Sequence, residues 1–118
     1  MSQTILLVED DSDLRAAMVT LLESEGFEVV TAPDGLAGLK LLERIHVPCL
    51  ILLDWWLPQL SGNEFLAKLR ADPVKHGVPV VVLTASEATP PASVEGFLRK
   101  PFSVSRLLEL VYSRCVHS

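Results

Sequence analysis

Short runs rich in apolar residues recur along the chain and predict the strands of a buried sheet. Side chains alternate between the two faces of a strand, so an unbroken apolar run suits a strand that is covered on both faces. Such strands are typical of a parallel sheet. The runs span residues 5–8, 27–30, 49–53, 78–83 and 97–98; the second is mixed, Pro79 interrupts the fourth, and the fifth is the shortest.

Around these runs, apolar residues recur at helical spacing, which places them on one face of a helix. Strands and helices alternate in order along the chain, and this order predicts an α/β fold with one parallel sheet and right-handed crossovers. Candidate N-caps are Asp11 or Ser12, Ser61 and Ser103, with Glu64 completing a capping box. The stripes are Leu14, Ala17, Met18, Leu21 and Leu22; Leu36, Leu39 and Leu42; Phe65, Leu66 and Leu69; and Val104, Leu107, Leu108 and Val111.

The connection over residues 85–95 breaks this alternation. A parallel crossover needs about a dozen residues or more and usually carries a helix. This segment is shorter and contains Pro90 and Pro91, and proline disrupts a helix interior by about 3 kcal/mol. We therefore predict that the fourth helix is shortened or missing.

Composition narrows the class of protein. The 118 residues, 49% hydrophobic and 21% charged, predict one folded domain over residues 1–118. The net charge of -5 and the absence of a basic run argue against direct binding of nucleic acid or an anionic membrane. No apolar run is long enough to cross a bilayer, so no membrane insertion is expected.

The two cysteines, Cys49 and Cys115, carry no metal-binding spacing. Cys49 lies in an apolar run, where a small buried thiol is the simplest interpretation. The chain shows no secretory signal, and we expect a reducing cytoplasmic location.

Polar side chains follow the predicted strands at their carboxyl ends, where open parallel sheets bind ligands. Glu9 and Asp10 follow the first strand and Asp54 follows the third. Thr84 and Lys100 follow the fourth and fifth strands. Asp54 precedes no predicted helix, so a capping role does not explain it. Converging carboxylates need a cation, and their hard oxygens select Mg²⁺, with Mn²⁺ as an alternative.

This combination of motifs resembles the receiver domains of two-component response regulators, and the resemblance covers essentially the whole chain. It implies a chemotaxis-regulator-like, flavodoxin-like three-layer sandwich with a five-stranded parallel sheet in the order 2-1-3-4-5. The motifs are Leu7-Val8-Glu9-Asp10-Asp11, Leu52-Leu53-Asp54 with Leu57-Pro58 and Gly62, Leu83-Thr84-Ala85, and Lys100-Pro101-Phe102.

The resemblance also implies a phosphorelay function. A histidine kinase or histidine phosphotransfer protein would phosphorylate the domain, and the phosphoprotein would change its affinity for a downstream protein partner. The domain would catalyse only its own phosphorylation and dephosphorylation and would not otherwise be an enzyme. The resemblance implies that Asp54 is the phosphoacceptor and that the Mg²⁺ ligands are Glu9, Asp10, Asp54 and the backbone carbonyl of Trp56. Thr84 and Lys100 would contact the phosphoryl group, and the peptide bond between Lys100 and Pro101 is often cis in this family. Thr84 and Phe97 would form the switch.

Two features depart from the family pattern. Trp56 stands where side chains influence attack of water on the phosphoaspartate, and we expect a bulky indole to slow dephosphorylation. Trp55 and Trp56 could instead be merely packed or exposed surface rings, or a docking surface if both indoles are exposed. Phe97 replaces the tyrosine often found, and either an inward-turning ring or a permanently buried one is consistent with its position.

The shortened segment 85–95 alters the face that family members commonly use for output. The sequence does not determine whether the chain dimerises through that face. The altered segment also favours an alternative function, a constitutive interaction module whose phosphorylation pocket is vestigial or unused. A Mg²⁺-dependent phosphatase of the haloacid-dehalogenase type is disfavoured, because such enzymes usually carry a second acid at the position of Trp56.

Overall fold

A computed structural model describes residues 3–57, 59–85 and 93–115. Five strands and four helices lie within these ranges. In chain order they are β1 (Thr4–Val8), α1 (Ser12–Ser24), β2 (Glu28–Ala32), α2 (Gly35–Leu42), β3 (Leu50–Asp54), α3 (Gly62–Arg70), β4 (Val80–Thr84), β5 (Gly96–Arg99) and α4 (Val104–Arg114).

The five strands form one parallel sheet in the order β2-β1-β3-β4-β5, which confirms the predicted fold class. The central strands β1, β3 and β4 are the longest apolar runs of the sequence. All residues of β3 and β4 are buried, as expected for strands covered on both faces.

Helices cover both faces of the sheet and produce a three-layer sandwich. On one face, Ile5 and Leu7 of β1 pack in a cluster with residues of α1 and α4, including Met18 and Val111. On the other face, alternate residues of the same strand pack with α2 and α3. The alternation of side chains along a single strand therefore supplies two separate cores.

The predicted caps are present at the starts of the helices. The side chain of Asp11 accepts hydrogen bonds from the backbone of Asp13 and Leu14. Ser61 and Glu64 form the reciprocal capping box at α3. Ser103 accepts from the backbone of Arg106 at α4. Each such cap contributes about 1 kcal/mol to stability.

The buried face of α2 differs from the predicted stripe. Leu36 is exposed, whereas Gly38 faces the interior, where an added Cβ would lie 3.0 Å from Val8 Cγ2 and 3.2 Å from Phe65 Cε2. The absent side chain lets α2 approach β1 and α3 closely. Leu36 lies two residues before Gly38, on the opposite side of the helix, and faces solvent, so the prediction that Leu36 faces the core is wrong.

Cys49 and Cys115 form a disulfide, so the interpretation of Cys49 as a buried free thiol is wrong. They are 66 residues apart in sequence, yet their Cα atoms lie 5.4 Å apart. The start of β3 and the end of α4 meet at the same edge of the sandwich. Only the chain topology brings these two positions together.

The prediction for segment 85–95 falls largely on residues 86–92, which lie outside the described residues. Its far end is held by Arg70 of α3, whose guanidinium donates to the carbonyls of Val78 at 2.8 Å and Ser93 at 3.1 Å. These bonds tie α3 to the residues just before β4 and β5.

Within the described ranges, every helix is too short or too polar to cross a lipid bilayer.

Candidate functional site

Three acidic side chains meet at the carboxyl edge of the sheet. Glu9 follows β1 directly and Asp54 is the last residue of β3, and these two strands are hydrogen-bonded neighbours. One carboxylate oxygen from each of Glu9, Asp10 and Asp54 falls within a group whose members are all within 4.8 Å of one another. The structure thus brings together three predicted site residues.

The acids differ in exposure. Glu9 is fully buried and Asp54 is 4% exposed, whereas Asp10 faces solvent. Backbone groups orient the buried pair: Asp54 Oδ1 accepts from the N–H of Trp56 at 3.2 Å, and Glu9 Oε2 accepts from the N–H of Asp11 at 3.2 Å. The sheet therefore presents the carboxylates in fixed directions.

Lys100 supplies a positive charge beside the acids. Its Nζ lies 2.7 Å from Glu9 Oε1 and 3.7 Å from Asp54 Oδ2. Its backbone N–H donates to the carbonyl of Thr84 at 2.7 Å, and its bond to Pro101 is cis, as the resemblance implied. The ends of β4 and β5 thus place the Lys100 ammonium group beside the carboxylates of Glu9 and Asp54.

The crowding of charge shifts the pKa values of the site. Burial, together with the neighbouring Asp10 and Glu9, raises the pKa of Asp54 to about 7. The hydrogen bond with Asp54 lowers the pKa of Asp10. Burial alone would lower the pKa of Lys100, but its contacts with Glu9 and Asp54 outweigh burial and raise it. The attraction of Lys100 thus offsets only part of the effect of burial and of the neighbouring acids on the pKa of Asp54.

The donor set fits a divalent cation of the Mg²⁺ class. Mg²⁺ is typically held by one or two carboxylates together with waters and phosphate oxygens. The buried Glu9 and Asp54 and the exposed Asp10 provide such oxygens with an opening to solvent. The backbone carbonyl of Trp56 as a further ligand stays a prediction.

Thr84 and Phe97 lie on the neighbouring strands β4 and β5. Thr84, at the end of β4, is 1% exposed. The ring of Phe97 in β5 is 41% exposed, and the guanidinium of Arg99 lies 5.6 Å from its centroid. A permanently buried Phe97 ring is therefore wrong, and the switch roles of Thr84 and Phe97 stay predictions.

The adjacent tryptophans have opposite surroundings. Trp55 is 8% exposed, and its ring packs so closely on Gly62 that an added Cβ there would lie 2.4 Å from Cε3. Trp56 is 62% exposed beside the phosphoacceptor candidate. A docking surface made of both indoles is therefore excluded, and Trp56 alone remains exposed.

Arg15 is a site residue that the sequence did not reveal. Its Nη1 donates to the backbone carbonyl of Glu9 at 2.7 Å, which ties α1 to the end of β1. The separation of six residues across a loop follows no helical or strand period. The only signal in the sequence for this contact is a basic residue one turn into the helix that follows the acidic motif.

Comparison with known proteins defines the family. A family model described as the response regulator receiver domain matches residues 5–112. The DNA-binding response regulator MtrA of Mycolicibacterium paratuberculosis is 34% identical, over 97% of this chain and 52% of its own length. The polar-differentiation response regulator DivK of Brucella ovis is 33% identical, over 96% of both chains. This chain thus spans about half of MtrA and nearly all of DivK.

Solved structures agree with this relationship. The receiver domain of the sensor histidine kinase PA1611 from Pseudomonas aeruginosa, with a magnesium ion in its active-site cleft, has a TM-score of 0.87 and 29% identity, covering 97% of this chain and 98% of its own. The chemotaxis protein CheY4 of Vibrio cholerae has a TM-score of 0.87 and 27% identity, covering 98% of this chain and all of its own. With the family model spanning most of its length, this chain belongs to the response regulator receiver domains of two-component signalling.

Proposed function

We propose that residues 1–118 form one phosphoacceptor domain in which Asp54 receives a phosphoryl group in a Mg²⁺-dependent reaction. The observation that carries the proposal is the buried Asp54 carboxylate, grouped with Glu9 and Asp10 and approached by the Lys100 ammonium. Receiver-family membership and a magnesium-bound structural neighbour support it.

The chemistry assigns a distinct task to each side chain. A carboxylate oxygen of Asp54 forms a bond to phosphorus and gives an acyl phosphate, while the donor leaves with the electron pair of its own bond to phosphorus. The Trp56 N–H holds Oδ1 and so restrains the rotation of the carboxylate. Lys100 and the Thr84 hydroxyl stabilise the negative charge of the phosphoryl oxygens. A bound Mg²⁺ would supply the further positive charge that phosphoryl transfer requires.

Glu9, Asp10, Asp54 and the carbonyl of Trp56 are the ligands we propose for this ion, and Mn²⁺ could take the same oxygens. The proposed donor is a histidine kinase or a histidine phosphotransfer protein in the cytoplasm. The proposed output is a changed affinity for a downstream protein or for a second copy of the chain. The net charge of -5 disfavours direct contact with nucleic acid.

The proposed switch pairs Thr84 with Phe97. Their strands are adjacent, with Val82 opposite Phe97 in the register, so Thr84 lies two residues beyond that level. Movement of the Thr84 hydroxyl towards the phosphoryl group would open space that the exposed Phe97 ring could enter. A nearly complete change of state requires about 5.5 kcal/mol of differential interaction between the two states.

Intact-mass spectrometry after incubation with acetyl phosphate and Mg²⁺ tests this function. We expect one added phosphoryl group on the wild-type protein, none when Mg²⁺ is chelated, and none on Asp54→Asn. The exposed Asp13→Asn serves as matched control and should be phosphorylated like the wild-type protein. If no adduct forms with acetyl phosphate or with a histidine phosphotransfer protein, the proposal fails and a constitutive interaction module replaces it.

Trp56 should slow the loss of the phosphoryl group. Its large exposed side chain stands beside Asp54 and offers no amide to orient an attacking water. We expect phosphorylated Trp56→Asn to lose its phosphoryl group several-fold faster than the wild-type protein, measured by the decay of the mass adduct. Val47→Asn alters a similarly exposed apolar side chain and should not change the rate. A wild-type phosphoprotein that decays within seconds would contradict this prediction.

A further inference from the structure

The disulfide lies at the end of the sandwich opposite to the acidic cluster. Cys49 precedes β3, whose last residue is Asp54, so the length of that strand separates the two features. Cys115 follows α4 and terminates it. The bond therefore connects the amino-terminal edge of the sheet to the end of the last helix.

We propose that Cys49 and Cys115 are a reversible dithiol–disulfide couple, a redox-modification site that fastens α4 to the sheet. The Cα separation of 5.4 Å lies in the range that a disulfide spans without movement of the backbone. The proposal is independent of phosphorylation. It rests on the proposed cytoplasmic location for its setting, because disulfides in that compartment are usually transient or redox-sensing.

Contacts that do not involve sulfur hold both cysteines in place. The N–H of Cys49 donates to the carbonyl of Thr4 at 2.9 Å, and the N–H of Cys115 donates to Val111 at 2.9 Å. One turn earlier in α4, the Tyr112 hydroxyl donates to Glu25, and its ring lies 5.9 Å from that of Phe27. Reduction would therefore leave the thiols facing each other in a folded protein, ready to re-form the bond.

The greater exposure of Cys49 favours attack by a small thiolate on the Cys49 sulfur. Cys115 is 3% exposed, whereas Cys49 is only half-buried. A small thiolate such as glutathione would attack the Cys49 sulfur and form a mixed disulfide, and the Cys115 sulfur would leave as a thiolate. A second glutathione thiolate would attack the glutathione sulfur of the mixed disulfide, releasing oxidised glutathione and the Cys49 thiolate. Oxidation is the same sequence in reverse, with oxidised glutathione as the oxidant.

The cross-link closes a loop between positions 66 residues apart. Such a bond restricts the unfolded chain, and its loss lowers stability. We expect the thermal midpoint to fall by roughly 10 °C on reduction. The amides at the end of α4 should also exchange with deuterium faster in the reduced protein, because that end loses a covalent anchor.

The test equilibrates the folded chain of residues 1–118 in buffers that span reduced to oxidised glutathione. The samples are quenched in acid, alkylated and weighed by mass spectrometry, without any phosphodonor. We expect full interconversion between dithiol and disulfide forms, reached from both directions, with an unchanged circular dichroism spectrum. Cys49→Ser should form no intramolecular bond and should show no redox dependence of its thermal midpoint.

Two outcomes would overturn the proposal. A pair that stays reduced even in oxidised glutathione is no redox site. A bond that reacts only after the protein is unfolded with denaturant is a permanent structural cross-link. Cys115→Ala provides a second variant without the bond, so that the comparison does not depend on the folding of one substitution.

Discussion

The Asp54→Asn variant should be more stable than the wild-type protein above pH 7 when divalent cations are absent. Burial and the neighbouring acids raise the pKa of Asp54 from 3.8 to about 7 in the folded protein. Ionisation of this buried carboxyl therefore costs folding free energy, on the order of 4 kcal/mol for a shift of about three pKa units. Asparagine removes that cost and keeps an oxygen that accepts from the N–H of Trp56.

The gain should depend on pH in a defined direction. Between about pH 4 and pH 7 the Asp54 carboxyl holds more of its proton in the folded wild-type protein than in the unfolded chain, because its pKa is higher in the folded state. The contribution of Asp54 to the free energy of unfolding therefore falls as the pH rises through this window. The advantage of Asp54→Asn should be small near pH 4 and complete above pH 7.

Urea denaturation across this pH range measures the effect. Glu23→Gln removes one exposed carboxylate elsewhere and controls for the change in net charge. Added Mg²⁺ should raise the stability of the wild-type protein, since an ion that binds only the folded state stabilises it. The same addition should have a much smaller effect on Asp54→Asn. Equal stabilities of the two proteins above pH 7 would mean that burial and the neighbouring acids do not raise the pKa of Asp54.

The Gly62→Ala variant should lose about 2–3 kcal/mol of stability, a typical cost of overpacking in a protein interior. Gly62 is the first residue of α3, where helix propensity alone would favour alanine. Its added Cβ would lie 2.4 Å from Trp55 Cε3 and 2.7 Å from Cζ3, within the face of a buried ring. The indole must move, and Trp55 is the residue next to Asp54, so the response to Mg²⁺ should weaken as well.

Two further variants isolate this contact in urea denaturation. An added Cβ at Gly77 would meet no atom within 4 Å, and Gly77→Ala should be neutral or slightly stabilising. In a Trp55→Leu background, Gly62→Ala should lose its penalty and follow helix propensity instead. A wild-type stability for Gly62→Ala alone would refute the close packing of Gly62 on Trp55.

The fold and most of the acidic site could be predicted because their signals are local. Apolar runs identified the strands, and side chains such as Asp11 and Ser61 identified the helix starts within three or four residues. Glu9, Asp54 and Lys100 could be grouped because parallel strands end at one edge of a sheet. These inferences required only periodicity, neighbouring residues and the topology that they imply.

Other features were decided by packing between distant segments. Trp55 and Trp56 are adjacent and chemically identical, yet one packs on Gly62 and the other is exposed. Phe97 looked apolar enough to be buried, but β5 is an edge strand and its ring faces outward. No local pattern distinguishes these cases.

The sequence by itself thus determined the alternating α/β architecture and the set of polar residues at the strand ends, since both follow from short-range patterns of polarity. The tertiary structure alone decided the Cys49–Cys115 pairing, the contact of Arg15 with Glu9, and the face of α2 that is buried. These depend on how the helices settle on the sheet. That arrangement is set by close packing among residues far apart in the chain.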